Sequence, residues 1–260
     1  MPIITLTTDW GTKDHYLAAV KGAILNHIPE AQIIDISHEI APFDLNETSY
    51  ALRNTWKYFP KGSIHIVGVN SEASLQHPHV VIKEQGHYFI GADNGIFSLV
   101  FDTTPEEIYE LDVILESNKF TFSTKDVFVQ VAKHIVHEKP LNELGDKLDE
   151  LTNKMAFRPV TEPDIIKGKV IYIDRYENIV TNIDEDLFKE MVGKKAFTLF
   201  LRAGKYKIKT IHSSYSDVGE GELIALFGSD NMLEIAQNRG RAAGLLGMQL
   251  DDVVRIEIES

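Results

Sequence analysis

Between residues 2 and 69, three short apolar runs alternate with two stretches of helical spacing, and this alternation restricts the possible folds more than any other feature of the chain. Residues 2–8 read as a short buried strand, and after Asp9-Trp10-Gly11 a helical pattern begins, with Leu17, Val20 and Ile24 at i, i+3 and i+7. Residues 31–36 form a second strand. The helix after it carries Leu45, Ser49, Leu52, Trp56 and Phe59 on one face, and Asp44 with Glu47 three residues on gives it a capping-box-like start. Residues 63–69 supply the third strand. A β-α-β-α-β series needs crossover helices covering a parallel sheet, so this half is α/β.

The pattern then changes. Residues 80–83 and 87–90 flank Glu84-Gln85-Gly86 as a hairpin, and residues 126–137 carry a helical apolar face of Val127, Phe128, Val131, Ala132 and Ile135. Residues 138–165 are polar and punctuated by Pro140, Gly145, Pro159 and Pro163, the texture of a boundary. Beyond them, closely spaced strand-like runs (169–173, 196–201, 206–210, 222–227, 253–258) dominate, with one helix expected near Met232 to Gln237. The expected architecture is an N-terminal α/β domain over residues 1–160 with a mainly parallel sheet, plus a smaller C-terminal β-rich, barrel-like domain over residues 161–260.

Composition narrows the function. A net charge of −13 repels phosphate backbones and argues against nucleic acid as a partner, while a small cation is tolerated. No apolar run approaches the ~20 residues needed to cross a bilayer, so no membrane partner is expected. There is no cysteine, which rules out disulfides and zinc thiolate sites. The ten histidines contain no His-x-x-x-His pair beside a carboxylate, and neither a metal nor a cofactor is expected. The N-terminus lacks the basic start and apolar stretch of a secretory signal, so a cytoplasmic location is expected.

Ligands of α/β sheets sit beyond the carboxyl ends of the strands, where Asp9, Asp14, Phe43, Asp44 and Asn70 fall. An Asp can accept from both hydroxyls of a ribose, an aromatic can pack on a nucleoside, and an amide can orient a neighbour. Each also has a plainer reading: Asp14 as a first-turn helix residue, Asp44 as a cap and Phe43 as core.

Five segments taken in order carry a resemblance. Residues 7–14 (TTDWGTKD) look like T-D-F-G-x-x-D, residues 34–38 (IDISH) like I-D-I-S-H, and residues 87–95 (HYFIGADNG) like H-Y-F-x-x-P-D-N-G. Residues 174–182 (DRYENIVTN) look like D-R-F-G-N-x-x-T-N, and residues 233–243 (LEIAQNRGRAA) like L-E-I-A-x-N-x-G-x-A-A. These are the patterns of the S-adenosylmethionine hydroxide adenosyltransferase family, relatives of the fluorinase and chlorinase enzymes, which the chain resembles nearly end to end. The resemblance implies a homotrimer whose nucleoside ligand lies between the first domain of one subunit and the second domain of its neighbour. Carried onto matching positions, Asp9 holds the ribose diol, Asp14 lies nearby and Phe43 packs against the ligand. From the other domain, Asp174 and Asn178 meet the methionine part, Tyr215 stacks on adenine, and the backbone around Ser229, Asn238 and Arg239 reads its edge. Read without the family, Asn178 is a turn residue, Tyr215 a core aromatic and Asp174 an ion-pair partner for Arg175.

The family's reaction is in-line displacement at the ribose C5′ carbon, with water or hydroxide attacking and methionine leaving. Its hydrolytic members share an Asp, Arg and His set thought to activate the water, and this chain departs from all three. Asn70 replaces the acid, His77 falls at the arginine position in an altered loop, and Ser123 stands where the histidine is expected, within residues 121–126 (TFSTKD). Thr124 aligns with a hydroxyl residue near the halide of the fluorinase. Ser123 and Thr124 are equally good N-cap candidates for the following helix. The implied activity is hydrolysis of S-adenosylmethionine to adenosine and methionine, with Glu72, His77 or His79 replacing the base. The alternative is a catalytically silent module that binds S-adenosylmethionine or adenosine, and a halogenating role is a third reading.

Overall fold

A computed structural model describes residues 1–112, 121–155 and 157–259. The chain divides into two compact units, Met1–Met155 and Ala156–Ser260. The first contains strands β1 (Ile3–Thr8), β2 (Gln32–Ser37), β3 (Ile64–Gly68), β4 (His79–Glu84), β5 (His87–Ala92) and β6 (Glu107–Glu110). Its helices are α1 (Tyr16–His27), α2 (Leu45–Arg53), α3 (Ile96–Val100) and α4 (Val129–Val136). The strands form one sheet in the order β2-β1-β3-β5-β4-β6. β2, β1, β3 and β5 run parallel, and β4 is antiparallel to both its neighbours, so the sheet is mainly parallel as expected.

Both faces of this sheet are covered. Ile4, Leu6, Ile64, Ile66 and Ile90 pack with Val20 and Ile24 of α1 and with Val129, Val131 and Ala132 of α4. On the opposite face Val67, Val80, Ile82 and Phe89 pack with Leu45 and Leu52 of α2 and with Ile96 and Phe97 of α3. Burial on two sides explains why β3 is buried at every position instead of alternating. That second face also carries polar groups: Thr5 Oγ1 lies 2.8 Å from His65 Nδ1, and His65 Nε2 lies 3.2 Å from His87 Nδ1. Burial, with His87 adding to it, holds His65 down at about 3.

Local chemistry sets the helix limits. Asp44 caps α2, its carboxylate accepting from the amides of Asn46 and Glu47. Glu47 reaches back to the Ala41 amide instead of the Asp44 amide, so half of the expected capping box forms. The helix stops at Arg53, earlier than the apolar spacing through Phe59 suggests. Trp56 lies on a separate 3₁₀ turn, buried edge-on against His87 and Phe89. α4 is preceded by a π-helical turn, Thr124–Phe128.

The second unit contains β7 (Val160–Glu162), β8 (Ile165–Ile173), β9 (Ile179–Asp184), β10 (Phe197–Leu201), β11 (Tyr206–Ile208), β12 (Ile211–His212), β13 (Leu223–Phe227), β14 (Met232–Gln237) and β15 (Val253–Ile258), with α5 (Glu185–Met191) and α6 (Ala242–Leu246). The strands form a curled half-barrel in the order β11-β10-β15-β8-β9-β14-β13-β12, with β7 beside β8. Its core gathers Ile166, Val170, Ile179, Leu199, Ile235, Leu246 and Ile256. The helix expected near Met232 to Gln237 is instead strand β14, paired on one side with β13 and on the other with β9. Met, Leu, Glu, Ala and Gln are all good helix formers, but two ladders of backbone hydrogen bonds and the inward burial of Leu233 and Ile235 override that preference.

Candidate functional site

In the first unit the expected residues collect where β1 and β3 end. Asp9 follows β1 directly, and its Oδ2 accepts from the Phe43 amide at 2.8 Å. A carboxylate has about four acceptor positions, so this bond leaves Asp9 able to take a diol. Phe43 is not core: the residue is 70% exposed and its backbone is left-handed at φ 66. The loop after Asp9 is fixed by the Gly11 amide, which donates to His38 O at 2.7 Å, and by Thr8 Oγ1, 2.7 Å from His38 Nδ1. Asp14 is exposed on that loop, and among the described residues no hydrogen bond or ion pair joins it to Asp9.

Beside Asp9, Trp10 lies over the end of β3. A Cβ at Gly68 would stand 2.7 Å from the Trp10 ring and 3.1 Å from Thr124 Oγ1, so glycine is what lets these two groups approach the strand. Phe122 packs edge-on against Trp10 with ring centroids 5.2 Å apart. Ser123 and Thr124 are buried, and although Ser123 stands at the N-cap position of the turn, neither side chain caps it. Ser123 is already helical at φ −53 and ψ −37 and makes no capping bond, while the Thr124 hydroxyl sits 3.2 Å from Ser71 Oγ. Ser71 was not among the expected residues. Its partner lies 53 positions away, and no local pattern links them.

Backbone contacts hold the 70–78 loop at both ends. Asn70 is left-handed at φ 44, and its carbonyl accepts from Asn94 Nδ2 at 3.0 Å. His79 Nε2 lies 2.9 Å from Ser71 O, and burial keeps the His79 ring below the ordinary histidine range against the opposing effect of that bond. His77 Nδ1 lies 3.2 Å from Asp93 O, and the Asp93 amide donates to Pro78 O at 2.8 Å. A carbonyl can only accept, so the proton of neutral His77 sits on Nδ1 and that of neutral His79 on Nε2. The second nitrogen of each ring keeps its lone pair. Glu72 is exposed within this loop.

In the second unit Asp174 organises the turn between β8 and β9. Its Oδ1 accepts from the amides of Tyr176 and Asn178, both at 2.8 Å, and its Oδ2 accepts from Asn178 Nδ2 at 3.1 Å. These bonds, not an ion pair with Arg175, engage the carboxylate. Tyr215 is 44% exposed and so is not core, and its hydroxyl donates to Glu234 Oε1 at 2.7 Å. Burial raises the Glu234 carboxyl, with Asp174 and Asp230 pushing the same way. Burial and Glu234 together raise the Tyr215 hydroxyl. Ser229 is exposed in the β13–β14 turn, which closes through the Gly228 amide on Met232 O and the Asn231 amide on Gly228 O. Asn238 donates from Nδ2 to Val218 O at 2.8 Å, and Arg239 is exposed and left-handed at φ 55. Glu234 and Glu177 were missed by the sequence reading. Glu177 is left-handed at φ 62, at the glycine position of the D-R-F-G-N pattern.

Residues 4–145 match the SAM hydroxide adenosyltransferase N-terminal domain, and residues 168–255 match the C-terminal domain of the same family. The (R)-S-adenosyl-L-methionine hydrolase of Methanocaldococcus jannaschii is 32% identical over 98% of this chain and 96% of its own. The protein of the same name from Thermus thermophilus is 28% identical over 96% of this chain and 97% of its own. Among solved structures, an uncharacterized conserved protein from Thermotoga maritima superposes with a TM-score of 0.87 at 30% identity, covering 98% of this chain and 99% of that one.

Proposed function

The chain belongs to the SAM hydroxide adenosyltransferase family, and from that premise we propose that it hydrolyses S-adenosylmethionine to adenosine and methionine. The observation that carries this reading is the similarity, along nearly the whole of both chains, to a protein named for that hydrolysis. The oxygen of water attacks C5′ in line with the sulfonium. The C5′–S bond breaks, its electron pair leaves with sulfur as the neutral thioether of methionine, and the water's second proton passes to a base or to solvent.

Asp9 binds the ribose diol and Phe43 packs on the ligand, with Asp14 close by. Thr124 and Ser71 hold the attacking water between their hydroxyls, so that positioning supplies most of the rate. Ser123 and Asn70 shape the wall around it. His77 accepts the proton at Nε2, the nitrogen left free by its bond to Asp93 O. Asp174, Asn178, Tyr215, Ser229, Asn238 and Arg239 take the methionine and adenine ends. The functional form is a homotrimer in which the two groups of residues come from neighbouring subunits, and it acts in the cytoplasm on a small-molecule substrate. The family relationship and the acidic charge, which suits a cationic substrate, support these points.

The test is incubation of purified protein with S-adenosylmethionine, with adenosine and methionine quantified. Equal amounts of both are expected, along with a slower rate for His77→Ala. Tight binding with no adenosine over hours would replace the enzyme reading with the silent binding module, and a 5′-halo-5′-deoxyadenosine formed in high halide would point to halogenation.

A further inference from the structure

Glu177 has the backbone of a glycine and the contacts of a linchpin. At φ 62 it lies in the left-handed region, where a residue with a Cβ is strained. The chain keeps it there through four bonds. Its amide donates to Asp174 O at 2.9 Å, which closes the turn that also contains Asn178. Its carbonyl accepts from the Ala243 amide at 2.9 Å, Oε2 accepts from the Gly244 amide at 3.0 Å, and Oε1 accepts from Arg241 Nη1 at 3.2 Å. Arg241 is 80% exposed, so its ion pair adds little, and the two backbone amides dominate the attachment.

On the far side of this attachment is the segment that follows β14. Gln237 Oε1 accepts from the Arg241 amide at 2.9 Å, and Asn238 is fixed through its amide to Glu222 O and through its side chain to Val218 O. One residue therefore ties the 174–178 turn to the 237–244 segment. A glycine would adopt the same φ without strain but would lack the carboxylate.

We propose that Glu177 is a positioning residue: it fixes the methionine-side turn against the adenine-side segment, so that the second unit grips both ends of one substrate as a single surface. This rests on the hydrolase reading above. A rigid link raises the effective concentration of the second contact once the first has formed, and that advantage applies to a substrate spanning both sides but not to a fragment occupying one.

The test compares wild type, E177G and E177Q by steady-state hydrolysis of S-adenosylmethionine, product inhibition by adenosine, and thermal unfolding. For E177G, KM for S-adenosylmethionine is expected to rise about tenfold while the adenosine inhibition constant changes less than about threefold, as loss of the link between two contacts predicts. kcat should stay within about twofold and the melting temperature should not fall, because glycine suits the backbone. E177Q, which keeps an acceptor for the Gly244 amide, should recover most of the loss. An unchanged KM in E177G, a parallel rise in KM and adenosine inhibition constant, or an E177Q no better than E177G would each overturn the proposal. A wild-type protein that neither binds nor cleaves S-adenosylmethionine would overturn the hydrolase reading and this proposal with it; a normal wild type with an unaltered E177G would overturn this proposal alone.

Discussion

At the strand ends of the first unit, the side chains of Asp9 and Thr124 each make one hydrogen bond among the described residues and keep acceptor positions for something else. In the second unit Asp174 accepts three bonds from its own turn, and Asn238 is tied to Val218 and Glu222. The first group presents side chains with acceptor positions still unused. The second consists of side chains that shape turns, with the Tyr215 ring partly exposed and its hydroxyl bonded to the half-buried, raised carboxyl of Glu234. In the proposed reaction, chemistry at the reacting carbon therefore falls to the first unit, and the second contributes mainly shape and charge.

The sharpest way to break this contrast is Asp9→Ala. Losing a charged acceptor for two hydroxyls should lower kcat/KM by roughly a hundredfold or more, and losing the bond to the Phe43 amide should cost some stability as well, since each bond to a charged group is worth roughly 1.5–3 kcal/mol. A loss no larger than that from changes in the second unit would erase the distinction.

The units should also differ in acid. His65, held at about 3, stays uncharged in the native state, whereas in the unfolded chain it takes a proton near 6.5. Its contribution is therefore complete above about pH 6.5 and declines as the pH falls toward 3, by up to about 1.4 kcal/mol per pH unit. His87, also depressed by burial, acts in the same direction. Both tryptophans, Trp10 and Trp56, lie in the first unit, so denaturation followed by their fluorescence should show this decline. A flat profile between pH 6.5 and 4.5 would contradict it.

Smaller effects sharpen the comparison. Thr124→Val should slow kcat about tenfold with little change in KM, the signature of a group acting in the displacement step. An equal change in KM would make Thr124 a binding residue instead. Tyr215→Phe keeps the ring and loses the bond to Glu234, and KM should rise roughly twofold to threefold, as expected for an exposed hydrogen bond. A larger rise would assign the hydroxyl a direct contact.

Much of this was legible in the sequence for a physical reason. A two-sided parallel sheet favours short apolar strands with a helical period between them, so β1, β2 and β3 are evident, and the rule that ligands sit at strand ends draws attention to Asp9 and Asn70. The second unit offered less. β14 joins a hairpin with β13 to a distant partner, β9, and the composition of Met232–Gln237 favours a helix, while Ile179–Asp184 lies inside a motif whose signal is its polar residues. Ser71 and Glu234 were invisible because their significance comes from a partner brought close by folding. Glu177 carried one local signal, a charged residue at a glycine position, and its use emerged only from the contacts made to α6.

The π-helical turn at Thr124–Phe128, at the N-terminal start of α4, holds one residue more than an α-helical turn would. Deleting a single residue there would allow the ordinary winding to resume, and the side chains of Ser123 and Thr124 at its start would swing by about 100° around the axis. The Thr124 hydroxyl would then turn away from Ser71 without any change of amino-acid type at either position. At this place the length of the chain, counted in single residues, selects which atoms face the end of β3.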